Sequence, residues 1–152
     1  MALARLAGAE EIPRLRELVR SSPGYRPARR HLARAIARQG ARDLEQGRPA
    51  IALRRARAAV QTEPAEASGH LLAGSALVLQ GRNDEALAAI ERAVELRPDR
   101  WLSHFQLSQA LSAAGRHEDA MTALRKAIAL NPEHRDLAAA LAALRREATG
   151  GS

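Results

Sequence analysis

The sequence predicts an all-α fold, a solenoid of antiparallel helix hairpins stacked side by side. Three observations predict it. The segment GRNDEALAAIERAVELRPD at 81–99 returns, altered, as GRHEDAMTALRKAIALNPE at 115–133, a step of 34 residues. Within each copy, apolar residues recur at helical spacing between a glycine and a proline. Finally, 46% of the chain is hydrophobic, much of it alanine, while aromatics make up only 2%. That is poor material for a large globular core and good material for helices packed closely, alanine being the best helix former.

The N-terminal element is a helix over 9–21, with Pro13 in its first turn and Leu15, Leu18 and Val19 to bury. SSPGYRP at 21–27 is a turn-rich joint. The repeats follow. Projecting the 34-residue step back from Gly81-Arg82 lands on Gly47-Arg48, and Ala86, Ala93 and Pro98 project to Ala52, Ala59 and Pro64. Three copies result, at 33–66, 67–100 and 101–134.

Each copy has the same grammar. A first helix of about 14 residues ends near Gly47, Gly81 or Gly115, where glycine can take the left-handed conformation past a helix end. A second helix stops near Pro64, Pro98 or Pro132. Asn83 is a candidate cap for the second helix of the middle copy, with Glu85 close behind. Ala86, Leu87, Ile90, Ala93 and Val94 fall on one face of that helix. Ala120, Met121, Leu124, Ala127 and Ile128 repeat the face in the last copy, while Glu91, Arg92, Arg125 and Lys126 lie opposite. The repeated residues are therefore packing and turn positions, and the altered ones face solvent. The first copy departs from the pattern, with Gln39, Asp43 and Ala56 where larger apolar residues are expected.

One more helix is expected at 133–148, with Leu137, Leu141 and Leu144 on one face to cover the last hairpin. The domain organisation is thus a capping helix and joint at 1–32, three repeats over 33–134, and a capping helix with a flexible TGGS tail at 135–152. The chain could be a module of something longer.

Period and motif resemble the tetratricopeptide repeat. That family has 34-residue helix-turn-helix units with a small residue at position 8, Gly near 15, Ala at 20 and 27 and Pro at 32. Gly74, Gly81, Ala86, Ala93 and Pro98 fill those places in the second copy, and Ser108, Gly115, Ala120, Ala127 and Pro132 in the third. The first copy has Gly40, Gly47, Ala52, Ala59 and Pro64. The resemblance implies a right-handed αα-superhelix whose first helices line a concave groove. By the family's groove positions, Arg34 and Arg38 come from the first copy; Leu71, Ser75 and Val78 from the second; Leu102, Phe105 and Gln109 from the third. These eight are the candidate partner-binding residues. Leu71, Val78, Leu102 and Phe105 would form an apolar floor for a bound helix or extended peptide. Some members grip a chaperone's C-terminal carboxylate with fixed Lys, Asn and Arg residues. Ala37, Ala41, Leu72, Leu102 and Gln106 stand at the matching positions, so that clamp is absent.

Charge and chemistry narrow the remaining classes. The net charge is +7, nearly all of it from arginine. Arginine forks carboxylates and phosphates, but an Arg-and-Ala bias also follows from a GC-rich bacterial genome. Arg26, Arg30, Arg34, Arg38 and Arg42 recur every fourth residue as one helical stripe. A solvated face beside Asp43 and Glu45 is the favoured reading of it, and oxyanion recognition by Arg34 and Arg38 the alternative. Nucleic acid is disfavoured, because Tyr25, Trp101 and Phe105 are the only aromatics available for stacking. With no cysteine, disulfides, thiolate metal sites and thiol catalysis are excluded. His70 and His104 occupy equivalent places and read as hairpin packing, since no third ligand joins them. No catalytic site, metal or cofactor is expected. No apolar run is long enough to span a membrane and no signal peptide is evident, so a cytoplasmic location is expected. The reading is a protein-protein interaction scaffold that binds a peptide or protein segment in its groove. The alternatives are an N-terminal substrate-orienting or oligomerisation module of a larger transferase, hydroxylase or secretion-related protein, and self-association.

Overall fold

The computed structural model describes residues 2–150, with side chains from residue 10 onward; the end of the TGGS tail lies outside the described residues. Among them are eight helices: α1 (Ala2–Ser21), α2 (Arg26–Glu45), α3 (Pro49–Thr62), α4 (Ala67–Leu79), α5 (Asn83–Leu96), α6 (Trp101–Ala113), α7 (His117–Leu130) and α8 (Arg135–Ala148). Helices α2–α3, α4–α5 and α6–α7 pack as hairpins. Along the stack α2 touches α4 and α4 touches α6, so these three form a continuous inner row.

Backbone chemistry at the turns sets this geometry. Gly47, Gly81 and Gly115 have φ of 70°, 70° and 76°. Behind each, the same two bonds close the helix. Gly47 N–H donates to Leu44 O and Arg48 N–H to Asp43 O; Gly81 and Arg82 bond Val78 and Leu77, and Gly115 and Arg116 bond Ser112 and Leu111. This is the Schellman closure, and it turns the chain back after a single residue in the left-handed region. The second helices end at Thr62, Leu96 and Leu130, two residues before each proline, because the residue preceding a proline is driven out of helical geometry.

Several expectations are corrected. Pro13 lies inside α1, not in its first turn, because the alanine-rich segment before it carries the helix upstream. Leu18 is exposed, and among the described side chains of α1 Ile12 is the buried one. The first helix of the first copy is 20 residues rather than about 14, starting at Arg26 with Pro27 in its first turn. Asn83 is not a cap. The turn closure places Arg82 at the N-cap, and Asn83 Nδ2 instead donates to Ala113 O at the end of α6, 3.1 Å away. It thereby ties the middle hairpin to the next one.

The buried face is built largely from alanine. Ala33, Ala52, Ala56, Ala76, Ala86, Ala93, Ala110, Ala120 and Ala127 are at 0% exposure, which brings helix backbones into close approach. Two apolar clusters result, one from α1 to α4 and the start of α5, the other from α4 to α8. Helix α4 contributes to both, with Leu72 and Leu77 in the first and Leu71 in the second. At the C-terminal end Leu137 and Leu144 of α8 are buried, and Leu141 is half-buried.

Candidate functional site

The inner row α2–α4–α6 encloses a cleft of about 600 Å³. Its floor is apolar, with Ala37 from α2, Leu71 and Leu72 from α4 and Leu102 from α6. Its polar rim carries Arg34, Arg38, Ser68, Ser75 and Gln106, and two arginines from the α5–α6 loop, Arg97 and Arg100. Five of the eight sequence candidates meet here: Arg34, Arg38, Leu71, Ser75 and Leu102. The other three do not line this cleft. Phe105 and Gln109 line a cavity of about 410 Å³ between α6 and α8, closed by Ala140, Leu144 and Glu147. Val78 and Gln109 border a smaller one of about 240 Å³ over Ile90. The concave face is therefore three adjoining hollows rather than one continuous floor, since α8 curls over the third.

Charge in the cleft is mostly committed. Arg34 Nε lies 3.0 Å from Glu66 Oε2, with Arg30 at 3.9 Å from the same oxygen. Glu66 is itself the N-cap of α4, accepting from Ser68 N–H and Oγ. Burial works to raise the Glu66 pKa, but the bonds from Arg34 and Ser68 outweigh it and hold the carboxyl below its usual value. Arg38 bonds Glu11 of α1, with both oxygens within 2.8 Å of Nη2. Arg97 bonds Asp99. Arg26 and Arg29 face Glu63 at 3.6 and 3.5 Å. The arginine stripe is thus neither a free anion fork nor merely solvated beside Asp43 and Glu45. Most of it neutralises two nearly buried glutamates on the α3–α4 loop. Arg100 is the half-buried cation of the cleft that has no ion-pair partner among the described residues.

Sequence reasoning missed two features. Position-by-position comparison of the linkers could have found the first: Glu63 and Glu66 correspond to Arg97 and Arg100 one repeat on, so cationic and anionic loops lie side by side along one edge of the groove. The second is a polar cluster within the first hairpin. Asp43, 3% exposed, receives Arg48 Nη2 at 2.6 Å and Arg55 Nε at 2.5 Å, and Arg55 Nη1 donates to Gln39. The histidines serve packing in a repeated way. His70 Nε2 meets Pro64 O at 3.0 Å and His104 Nε2 meets Pro98 O at 2.8 Å, each bonding the proline that ends the preceding helix. Among the described residues no group of three His, Asp or Glu is placed to hold a metal ion, and no helix is long and apolar enough to cross a membrane.

A stack of helix hairpins closed by repeated glycine turns, with an inner row of helices lining a concave cleft, defines a helical-repeat scaffold. The tetratricopeptide repeat family matches residues 42–100 and 74–135, together more than half of the chain, and the chain belongs to that family. Solved structures share the fold. MamA is 18% identical over 92% of this chain and 77% of its own, with a TM-score of 0.67. The first repeat domain of Spaghetti (RPAP3), bound to the HSP90 peptide SRMEEVD, is 16% identical over 78% of this chain and 94% of its own, with a TM-score of 0.70. A mutant of the Thermobaculum terrenum O-GlcNAc transferase is 23% identical over 74% of this chain and 22% of its own, with a TM-score of 0.70. No curated protein sequence matches the chain significantly.

Proposed function

We propose that this protein is a scaffold that holds a peptide segment of another protein in the cleft between α2, α4 and α6. The observation that carries the reading is the cleft itself, with a leucine and alanine floor, a polar rim and room for several side chains. Peptides dock in such grooves through alternate apolar anchors, with polar rim groups setting register. That the Spaghetti domain holds a peptide supports the use of this architecture for the purpose. The side chains here set a different recognition chemistry from a carboxylate clamp, because Ala37, Ala41, Leu72, Leu102 and Gln106 offer no cation on the helices. The available cation, Arg100, comes from the loop edge instead. The segment that fits carries apolar anchors with a carboxylate at one end, seated on Leu71 and Leu102.

The test is selection from a random peptide library, followed by synthesis of the recovered peptides and titration by fluorescence anisotropy. Leu102 is half-buried, so Leu102→Asp should leave the helical circular dichroism intact. It is expected to weaken binding about ten-fold or more, which is roughly 1.4 kcal/mol. Recovered peptides that bind Leu102→Asp as tightly as the parent would place recognition elsewhere and overturn the reading.

A further inference from the structure

The excess of positive charge lies at one end of the solenoid. Residues 1–62 hold fourteen arginines against five carboxylates, whereas residues 63–152 hold ten basic and twelve acidic residues. Much of the N-terminal excess is matched internally through Glu10, Glu11, Glu17, Asp43, Glu63 and Glu66. Arg16 on α1 and Arg54 on α3 are different. Both are exposed and neither has a carboxylate partner among the described residues. Together with Arg55 they surround a cleft of about 320 Å³ between α1 and α3, over an aliphatic floor of Ile36, Ile51 and Ala58. No carboxylate lines it. Arg55 is held in place from behind by Asp43 and Gln39 through Nε and Nη1, which leaves Nη2 uncommitted. A guanidinium fixed in this way keeps its Nη2 donors for an oxyanion while the cost of ordering it is already met within the hairpin.

We propose that this cleft, on the side of α2 away from the concave groove, is a second binding site for an oxyanion group on an acidic segment of a protein partner. Its volume suits one or two side chains. The aliphatic floor matches the methylenes of a glutamate or of a phosphorylated side chain, Arg16 and Arg54 supply the counter-charge, and Arg55 adds the donors of Nη2. A single nucleic acid strand is held largely by base stacking, and no aromatic ring lines the cleft; a duplex is one arm of the test.

The test compares the parent with Arg16→Gln/Arg54→Gln, which strips the cleft but leaves Arg55 and its supports alone. Arg125→Gln/Lys126→Gln removes the same charge from an exposed face of α7. The probes are fluorescein-labelled oligo-glutamate, a labelled DNA duplex, and inorganic phosphate as competitor. The expected result is oligo-glutamate binding that falls about ten-fold in the cleft variant and less than about two-fold in the control. Phosphate should compete, and amide shifts should appear at Ile36, Gln39 and Ile51. Equal loss in both variants would reduce the effect to diffuse charge and overturn the site. Preference for the duplex, or binding of phosphate without oligo-glutamate, would overturn the acidic protein segment as occupant.

Discussion

Asp43 shows how one residue can depart from a repeat and still be accommodated. Its counterparts are Leu77 and Leu111, both buried. The departure is coordinated, since Gln39 and Arg55 stand where the later copies have Ala73 and Ala89, then Leu107 and Ala123. Three apolar positions have changed together into a bonded polar set. A buried carboxylate is tolerable only when paired, and removing it leaves its partners' donors to find water. Asp43→Ala is expected to cost about 1–3 kcal/mol, at the low end because Arg48 and Arg55 are both partly exposed and can rehydrate. Asp43→Leu restores the residue of the other copies. It is expected to cost less than Asp43→Ala, since apolar replacement of a buried ionic group is often close to neutral. Urea midpoints of the two variants decide it, and Asp43→Leu as the less stable would mean that the polar set is required rather than merely compensated.

Between helices, the same reasoning runs through size. In the middle hairpin Gly74 faces Ile90, and the equivalent residues are Gly40 and Ala56 in the first copy and Ser108 and Leu124 in the third. A Cβ on Gly74 would sit 2.2 Å from Ile90 Cγ1, and Ile90 is 1% exposed. At Gly40 the space that a Cβ would take is instead filled from the next repeat, by Leu72 Cδ2. Gly74→Ser is therefore expected to destabilise by about 1–3 kcal/mol through overpacking against a β-branched side chain. Adding Ile90→Leu, the partner that Ser108 has in the third copy, should recover part of that loss. A double-mutant cycle in urea measures the coupling, and strictly additive effects would sink the proposed steric pairing. These pairs also explain what was legible in advance. Repeat period, glycine turns and proline stops depend on residue type at fixed spacing, so they could be read directly. The ion pairs could not. Arg38 meets Glu11 across 27 positions, and Glu66 reaches α2 from a different hairpin, so only three-dimensional packing reveals which arginines are spent. The role of Asn83 is hidden from the sequence for the same reason, its partner lying on α6.

Across the whole molecule, contacts are made almost entirely between neighbouring helices, and two apolar clusters meet at α4. Stability in such an array is a sum of local terms, so damage at one end need not be felt at the other. The chain carries a reporter for one end. Trp101, the sole tryptophan, packs against His134 at 4.7 Å and Phe105 at 6.4 Å, beside the α7–α8 turn. Leu137 of α8 is 1% exposed and belongs to the C-terminal cluster. Leu137→Ala is expected to destabilise that end by about 2–5 kcal/mol through lost burial and the cavity left behind. Unfolding followed by Trp101 fluorescence should then come at lower urea than unfolding followed by far-ultraviolet circular dichroism, which averages over all helices. Asp43→Ala should reverse the order, because it weakens the other end and leaves the tryptophan's surroundings untouched. Coincident transitions in both variants would show that α4 couples the two clusters into one cooperative unit. The concave cleft would then share its rigidity with both ends, since Leu71 and Leu72 of α4 form its floor.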